Sequence, residues 1–416
     1  MINYPSKLNI IFDKLKNYGI KPIIVGGFVR DSLLKIESKD IDIEVYGDIS
    51  FKKLEEILKE FGNVNIVGKS FGVCKLKFED YDLDFSLPRI DNKIESGHRG
   101  FDVKVDSNLD FKTAASRRDF TINAIGYDVT ERTVLDPFCG IDDLRDKILR
   151  AVNLKSFIED PLRVLRAAQF CARFNLKIED NLFFTCKDMV SKNLLDELPK
   201  ERVFEEIKKL LLKSQKPSYG FKLLKEFGTD IYTDNISVID ETVKRLTTNN
   251  QTNLVLMLAG LCYNFELTQT ENFILKLTDE KELLKRVINL IQANNEIDKI
   301  YNDADDYLLY KLAAKVNIDE LLILSNSIYF AKNSSNTYKV GEEIYKRAKE
   351  LNVLKGKLPP LLMGRDILEL GLKPSPKFSQ ILDDAYEAQM HGKFKNHGEA
   401  LLWLKEHIKA LNCQSL

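Results

Sequence analysis

The sequence predicts an α+β protein, with a small mixed α/β head followed by a long all-helical neck, body and tail. Three observations lead there. Helix-period and strand-period hydrophobic patterns alternate near the start of the chain, strand signals stop at about Asp142, and from Ile158 onward apolar residues recur at helical spacing. The predicted divisions are a head over 1–142, a neck over 143–220, a body over 221–340 and a tail over 341–416.

The elements follow in order. Residues 5–18 have the apolar spacing of an amphipathic helix, and residues 21–25 read as a strand that runs into Gly26 and Gly27. A short helix is expected over 29–34, a strand with alternating carboxylates over 41–46, and a helix over 51–61. Strands over 64–67, 73–78 and 83–86 are separated by Gly68, Gly72 and Asp80. The charged, glycine-containing stretch 88–110 is expected to hold a long loop. The helical remainder is punctuated near 191–196, 216–219, 247–252 and 355–360.

Composition narrows the class. The chain has 416 residues, 44% of them hydrophobic and 30% charged, as in a folded globular protein. Six scattered cysteines without a C-x-x-C pair argue against a disulfide framework and a structural zinc site. The most apolar stretch, 254–262, is too short to cross a bilayer, and charges interrupt the N-terminal apolar residues where a signal peptide would need none. A cytoplasmic protein, with no membrane and no protein partner implied, is the expectation. The net charge of −1 does not exclude a nucleic-acid partner, because a local basic stripe is enough to hold phosphates.

Two motifs carry chemistry. Asp40 and Asp42 stand two apart on a predicted strand, so their carboxylates share a face. Two like charges so placed call for a cation, and hard oxygens suit Mg2+; Asp84 on a neighbouring strand offers a third carboxylate. A lone D-x-D is more often a solvated strand edge. Upstream, however, Gly26, Gly27 and Arg30 lie where a strand passes into a helix, a place where backbone N–H groups and a guanidinium can meet a phosphate. The pairing of the two motifs is far more specific than either alone. Gly68, Lys69 and Ser70 imitate a P-loop, but five residues rather than four separate Gly62 from Gly68 and a strand follows, so a turn is expected.

These motifs, followed by Arg117, Arg118, Asp119, Phe120, Thr121, Ile122, Asn123 and Ala124, resemble the class II tRNA nucleotidyltransferases, a family of CCA-adding enzymes and bacterial poly(A) polymerases. Asp136-Pro137-Phe138-x-Gly140, Glu159-Asp160-Pro161-Leu162-Arg163 and Glu201-Arg202-Val203-Phe204-Glu205-Glu206 follow in the family's order, and the segment from Gly364 to Pro374 is similar to a C-terminal segment of many members. The resemblance is dense over 22–210 and patchy beyond. It implies a head like that of DNA polymerase beta, and addition of CCA to tRNA from CTP and ATP. Asp40 and Asp42 would hold Mg2+, with Asp84 as a further catalytic carboxylate. Gly26, Gly27, Arg30, Arg117 and Arg118 would bind the nucleotide together with Asn123, while Asp119 orients the arginines.

Asp160 reads as an N-cap with Pro161 in the first turn, which places Arg163, Arg166, Phe170 and Arg173 on one stripe. The resemblance implies that Asp160 and Arg163 read the base, with Arg166 beside them in the nucleotide site. A carboxylate accepts from the exocyclic amine of C or A, and a guanidinium donates to ring nitrogen or carbonyl oxygen. Gln169 stands where some members carry another arginine. The stretch around 254–264 resembles a helix that bears a His–Asp metal pair in some relatives; here Tyr263 and Asn264 take that place, and the four histidines lie elsewhere. An HD-type phosphohydrolase is therefore disfavoured.

The remaining rivals are a poly(A) polymerase, a specialist adding only CC or only A, and a non-catalytic RNA-binding module. A C-terminus without a basic run, Ala167-Ala168 and Ile125-Gly126 favour the CCA-adding branch over the poly(A) branch. The length of 88–110 favours full CCA addition, and intact Asp40, Asp42 and Arg118 favour catalysis.

Overall fold

A computed structural model describes residues 2–67, 72–93, 101–106, 109–231, 236–303, 305–333, 337–372 and 377–413. The chain forms two compact units, Met1–Tyr232 and Thr233–Leu416.

The first unit opens with α1 (Asn9–Asn17), β1 (Lys21–Val25), α2 (Gly27–Leu33), β2 (Asp40–Tyr46), α3 (Phe51–Leu58), β3 (Val64–Val67), β4 (Val73–Phe78) and β5 (Tyr81–Ser86). After β6 (Arg89–Lys93) and β7 (Phe101–Val105) come α4 (Phe111–Ala115), β8 (Gly126–Asp128), β9 (Thr133–Leu135) and α5 (Gly140–Asp146). A seven-stranded sheet runs β3-β4-β5-β2-β1-β8-β9, antiparallel except where β2 lies parallel to β5. Ile41, Ile43 and Val45 alternate into the core from β2, while Asp40, Asp42 and Glu44 take the opposite face. Residues paired across strands share a face, so Ile23 and Val25 stand beside Glu44 and Asp42. There Ile23, Val25 and Tyr46 pack against Ala114 of α4.

Two expectations are corrected here. The stretch 88–110 is not one long loop, because β6 and β7 pair as an antiparallel hairpin. Alternation at Phe101, Val103 and Val105 was its signal, obscured by the charges between them. Nor do strands end at about Asp142: β10 (Ile148–Leu149) and β11 (Lys177–Ile178) form a short parallel ladder. Two-residue strands leave no period for a sequence reading to detect. The turn expected at Gly68 to Ser70 lies outside the described residues.

Helices α6 (Leu154–Phe157), α7 (Leu162–Phe174), α8 (Asp180–Ser191), α9 (Lys200–Lys213) and α10 (Pro217–Phe227) complete the first unit. Helix α7 is packed on α9 and α10 and buries Leu162, Val164, Leu165, Ala167, Ala168 and Cys171. Its C-terminus is stopped by Asn175 in the left-handed conformation, φ 52°. Helix α10 thus belongs to the first unit, and the finer division into head, neck, body and tail remains a proposal.

The second unit is helical throughout its described residues: α11 (Ile236–Val243), α12 (Asn250–Cys262), α13 (Leu267–Leu277), α14 (Lys281–Asp303), α15 (Asp306–Lys315), α16 (Ile318–Lys332), α17 (Lys339–Glu350), α18 (Gly364–Glu369), α19 (Lys377–Met390) and α20 (His397–Cys413). Helix α12 is apolar on every side because α11, α14 and α16 surround it, which is why its sequence looks like a short membrane segment. Asn249 caps it, accepting from the N–H groups of Gln251 and Thr252. Among the described residues no helix is long and apolar enough to cross a membrane.

Candidate active site

The site grows from one face of β2. Asp40 and Asp42 are exposed, whereas Glu44, two residues further along the same face, is 1% exposed. Parallel pairing with β5 sets Asp42 beside Asp84 and Asp40 beside Asp82. Antiparallel pairing with β1 sets Asp42 beside Val25, so the chain leaves β1 at Gly26 next to the Asp42 carboxylate. Partial withdrawal from water raises the Asp42 pKa; Arg118 opposes this, Asp84 and Glu44 add to it, and Lys75 opposes again. The hard oxygens of Asp40 and Asp42 lie on one exposed face, with Asp84 and Glu44 adding negative charge beside Asp42, so the pair fits a divalent-cation-holding role. The third carboxylate is not swung in, because Asp84 accepts from Lys75 Nζ at 2.8 Å. Among the described residues, no three His, Cys, Asp or Glu side chains form a ready-made metal cage.

Helix α4, capped by Asp110 accepting from the Thr113 N–H at 2.9 Å, covers the inner end of this face and then delivers two arginines over it. Arg117 Nη2 and Arg118 Nη2 both donate to Glu44 Oε1, each at 2.9 Å, and Tyr46 Oη donates to Glu44 Oε2 at 2.8 Å. Burial pushes the Glu44 carboxyl up, but Arg118, Arg117 and Tyr46 more than offset it, so the group is held below the ordinary glutamate value. Glu44 was absent from the residues singled out in the sequence. It continues the same two-residue period as Asp40 and Asp42, which is the signal that could have found it.

Gly26 is required twice over. Its φ is +71°, and a Cβ there would stand 2.8 Å from Arg118 Nη1 and 3.6 Å from Asp42 Oδ2. Arg118 cannot simply swing aside, since Glu44 anchors it. Gly26→Ala is expected to cost about 1–3 kcal/mol from backbone strain alone, measured by urea unfolding, and to displace Arg118. Unchanged stability would show that the turn relaxes freely.

Other expected nucleotide ligands lie deeper. Arg30 is 4% exposed. Its Nε and Nη2 donate to Asp31 Oδ1 at 2.8 and 2.6 Å, and its Nη1 donates to Asn123 Oδ1 at 2.5 Å. The guanidinium lies over the rings of Phe170 and Phe174, at 5.1 and 4.5 Å. Asn123 Nδ2 donates to Asp119 Oδ1 at 3.0 Å, and Arg166 donates to Asp119 Oδ2 through Nε and Nη2 at 2.8 and 2.6 Å. Arg30, Asn123, Asp119 and Arg166 thus form a buried network joining α2 to α7, rather than a surface facing a phosphate. Asp119 reaches Arg30 through Asn123 and binds Arg166 directly. The expectation that it also orients Arg117 and Arg118 is corrected, because Glu44 holds those two. A motif shows which residues occur together, but the depth of each follows from packing around Phe120, Phe157 and Phe170.

The predicted base readers sit at the start of α7. Pro161, not Asp160, takes the N-cap position, yet Asp160 Oδ1 still accepts from the Leu162 N–H at 3.2 Å. Arg202 lies 3.7 Å from Asp160 Oδ2. Arg163 donates through Nη1 to the Ser156 carbonyl at 2.8 Å and through Nη2 to the Arg117 carbonyl at 2.9 Å. The second contact ties this helix to the arginine pair.

In the second unit Tyr263 and Asn264 line a cleft of about 420 Å³ with Asn294, Asn295 and Lys332, and no histidine lines it.

Comparison with known proteins accords with this geometry. Residues 23–150 match the Poly A polymerase head domain, and residues 175–229 match the family described as "Probable RNA and SrmB-binding site of polymerase A". The chain is 35% identical over 208 residues to the multifunctional CCA protein of Stenotrophomonas maltophilia, covering 49% of each chain. It is 37% identical over 207 residues to that of Methylobacillus flagellatus, covering 49% of this chain and 47% of the other. The matches thus span about half the length of these curated relatives. The fold is similar to the Bacillus stearothermophilus CCA-adding enzyme in complex with CTP, with TM-score 0.73, 21% identity and 99% and 100% of the two chains covered. It is also similar to the Thermotoga maritima CCA-adding enzyme complexed with tRNA, with TM-score 0.66, 20% identity and 98% and 97% covered. The sequence likeness to the poly(A) polymerase family thus lies in the head over residues 23–150 and in the segment 175–229 behind it.

Proposed function

We propose that this protein adds CCA to the 3′ end of tRNA from CTP and ATP, without a nucleic-acid template, in the cytoplasm. One arrangement carries the reading: two carboxylates on the open end of β2 stand beside a bare glycine turn and a clamped arginine pair. Nucleotidyltransferases of this kind generally work with a divalent metal, and the hard oxygen donors of Asp40 and Asp42 suit Mg2+. When bound, Mg2+ supplies Lewis-acid stabilisation of the charge that develops during in-line displacement.

The chain's own residues do the rest. Arg117 and Arg118 hold the triphosphate beside Asp42, and Gly26 lets it approach the backbone. Asp84, exchanging Lys75 for the reaction centre, is the candidate further carboxylate. Asp160 and Arg163 read the base edge from the first turn of α7, accepting from the amine that C and A share and U and G lack at that position. The helical second unit cradles the tRNA, and the Tyr263–Asn264 cleft serves no metal hydrolysis. The names of the relatives favour CCA addition over poly(A) synthesis or a CC- or A-adding specialist.

Base reading gives the test. Charge-assisted hydrogen bonds of this kind are worth about 1.5–3 kcal/mol, so Asp160→Ala should lose roughly ten- to hundredfold in preference for CTP and ATP over UTP and GTP. Single-nucleotide addition with each of the four substrates measures this. Equal slowing of all four would place base choice elsewhere.

A further inference from the structure

We infer that Glu44 is a positioning residue for the reaction, setting where the nucleotide's triphosphate is gripped. The inference rests on the nucleotidyl-transfer reading above. One carboxylate oxygen, Glu44 Oε1, receives both Arg117 and Arg118 at 2.9 Å, while Tyr46 fixes the other oxygen at 2.8 Å. Two guanidinium groups sharing one acceptor would repel each other without it. With it they stay side by side and keep a net positive charge next to Asp42. Arg118 is confined from the far side by the Gly26 turn, and its buried Nε finds no partner among the described residues. A buried donor left unmatched is costly, and a phosphate oxygen is the acceptor that would satisfy it. The Arg117 carbonyl meanwhile receives Arg163 at 2.9 Å. Glu44, on the strand of Asp40 and Asp42, therefore links the metal-holding strand, the phosphate-binding pair and the base-reading helix. A buried ion pair that only stabilised the head would not need two arginines on one oxygen beside the reaction centre.

Glu44→Gln separates the two roles. The amide oxygen at the Oε1 position still faces both arginines but carries no charge to hold them, while the amide NH2 faces the Tyr46 hydroxyl, which can accept from it. Binding of CTP with Mg2+, followed by calorimetry, should weaken about tenfold or more as the charge that clamps the two guanidinium groups is lost. KM for CTP should rise by a similar factor, and kcat at saturating CTP should change less. A folded Glu44→Gln protein with parental CTP affinity, or with reduced kcat and unchanged KM, overturns the assignment. Should Glu44→Gln melt below the assay temperature, Tyr46→Phe decides instead. It removes only the contact to Oε2, so weaker CTP binding supports the role and parental binding contradicts it. Failure of the parent protein to bind CTP would overturn the nucleotidyl-transfer reading and this inference together. A parent that extends tRNA, paired with an unaffected Glu44→Gln, overturns this inference alone.

Discussion

Asp42→Ala is expected to lower nucleotide incorporation by about three orders of magnitude or more, because metal stabilisation of the transition state is worth several kcal/mol and each 1.4 kcal/mol is tenfold. The fold should not suffer with it. Asp42 faces solvent, and its charge is opposed by Asp84 and Glu44 as well as by partial loss of water. Its raised pKa means that folding favours the protonated carboxyl, so at neutral pH the ionised group costs stability and its removal restores some. Asp42→Asn should therefore melt no lower than the parent while being equally inactive. That combination marks a group kept for function. Near-parental turnover with Mg2+ would show that the metal site has been assigned to the wrong residues.

Asp119 should behave in the opposite way. It is 8% exposed and bonded to Arg166, to Asn123 and to the Phe120 N–H. Removing this buried carboxylate strands the Asn123 amide and the Phe120 N–H, at about 1–3 kcal/mol for each unsatisfied group, while Arg166, 29% exposed, keeps Glu206 3.8 Å away. In a unit of this size that corresponds to a melting midpoint lower by roughly 4–24 °C. Asp119→Ala should therefore unfold early, and any loss of activity should follow loss of structure. A pH dependence accompanies it. Burial raises the Asp119 pKa, but Arg166 and its hydrogen bonds lower it further, so the folded-state value lies below that of the unfolded chain. The unfolded chain then takes up the proton first on acidification. The contribution is complete above the ordinary aspartate range and is lost as the pH falls through the depressed folded value. In Asp119→Ala that part of the acid sensitivity should disappear; an unchanged acid-unfolding profile would mean the network holds little.

These two aspartates show what a sequence conveys and what it does not. Both belong to recognisable motifs. The period of two along β2 was enough to place Asp40 and Asp42 on one face, whereas the pairing of Val25 with Asp42 is what brings the glycine turn beside them. Depth was not legible. Arg30 and Arg118 look alike as arginines in motifs, yet one is sealed over Phe170 and Phe174 and the other reaches the Asp42 side of the turn. That difference arises from packing between segments far apart in the chain. Glu44 was overlooked for a related reason: a carboxylate in a strand reads as solvent-facing until α4 is seen to close over it. The β6–β7 hairpin and the β10–β11 ladder escaped because charge masked one period and the other was too short to have one.

The proposed activity selects each nucleotide without a template and stops at CCA. Offering the purified protein a tRNA that lacks the CCA end, with CTP and ATP together, and sequencing the extended 3′ ends tests this. C, C and A should be added in that order, with no further growth. Long runs of A would identify a poly(A) polymerase instead, and no extension at all with Mg2+ present would contradict the assignment of Asp40 and Asp42 to nucleotidyl transfer.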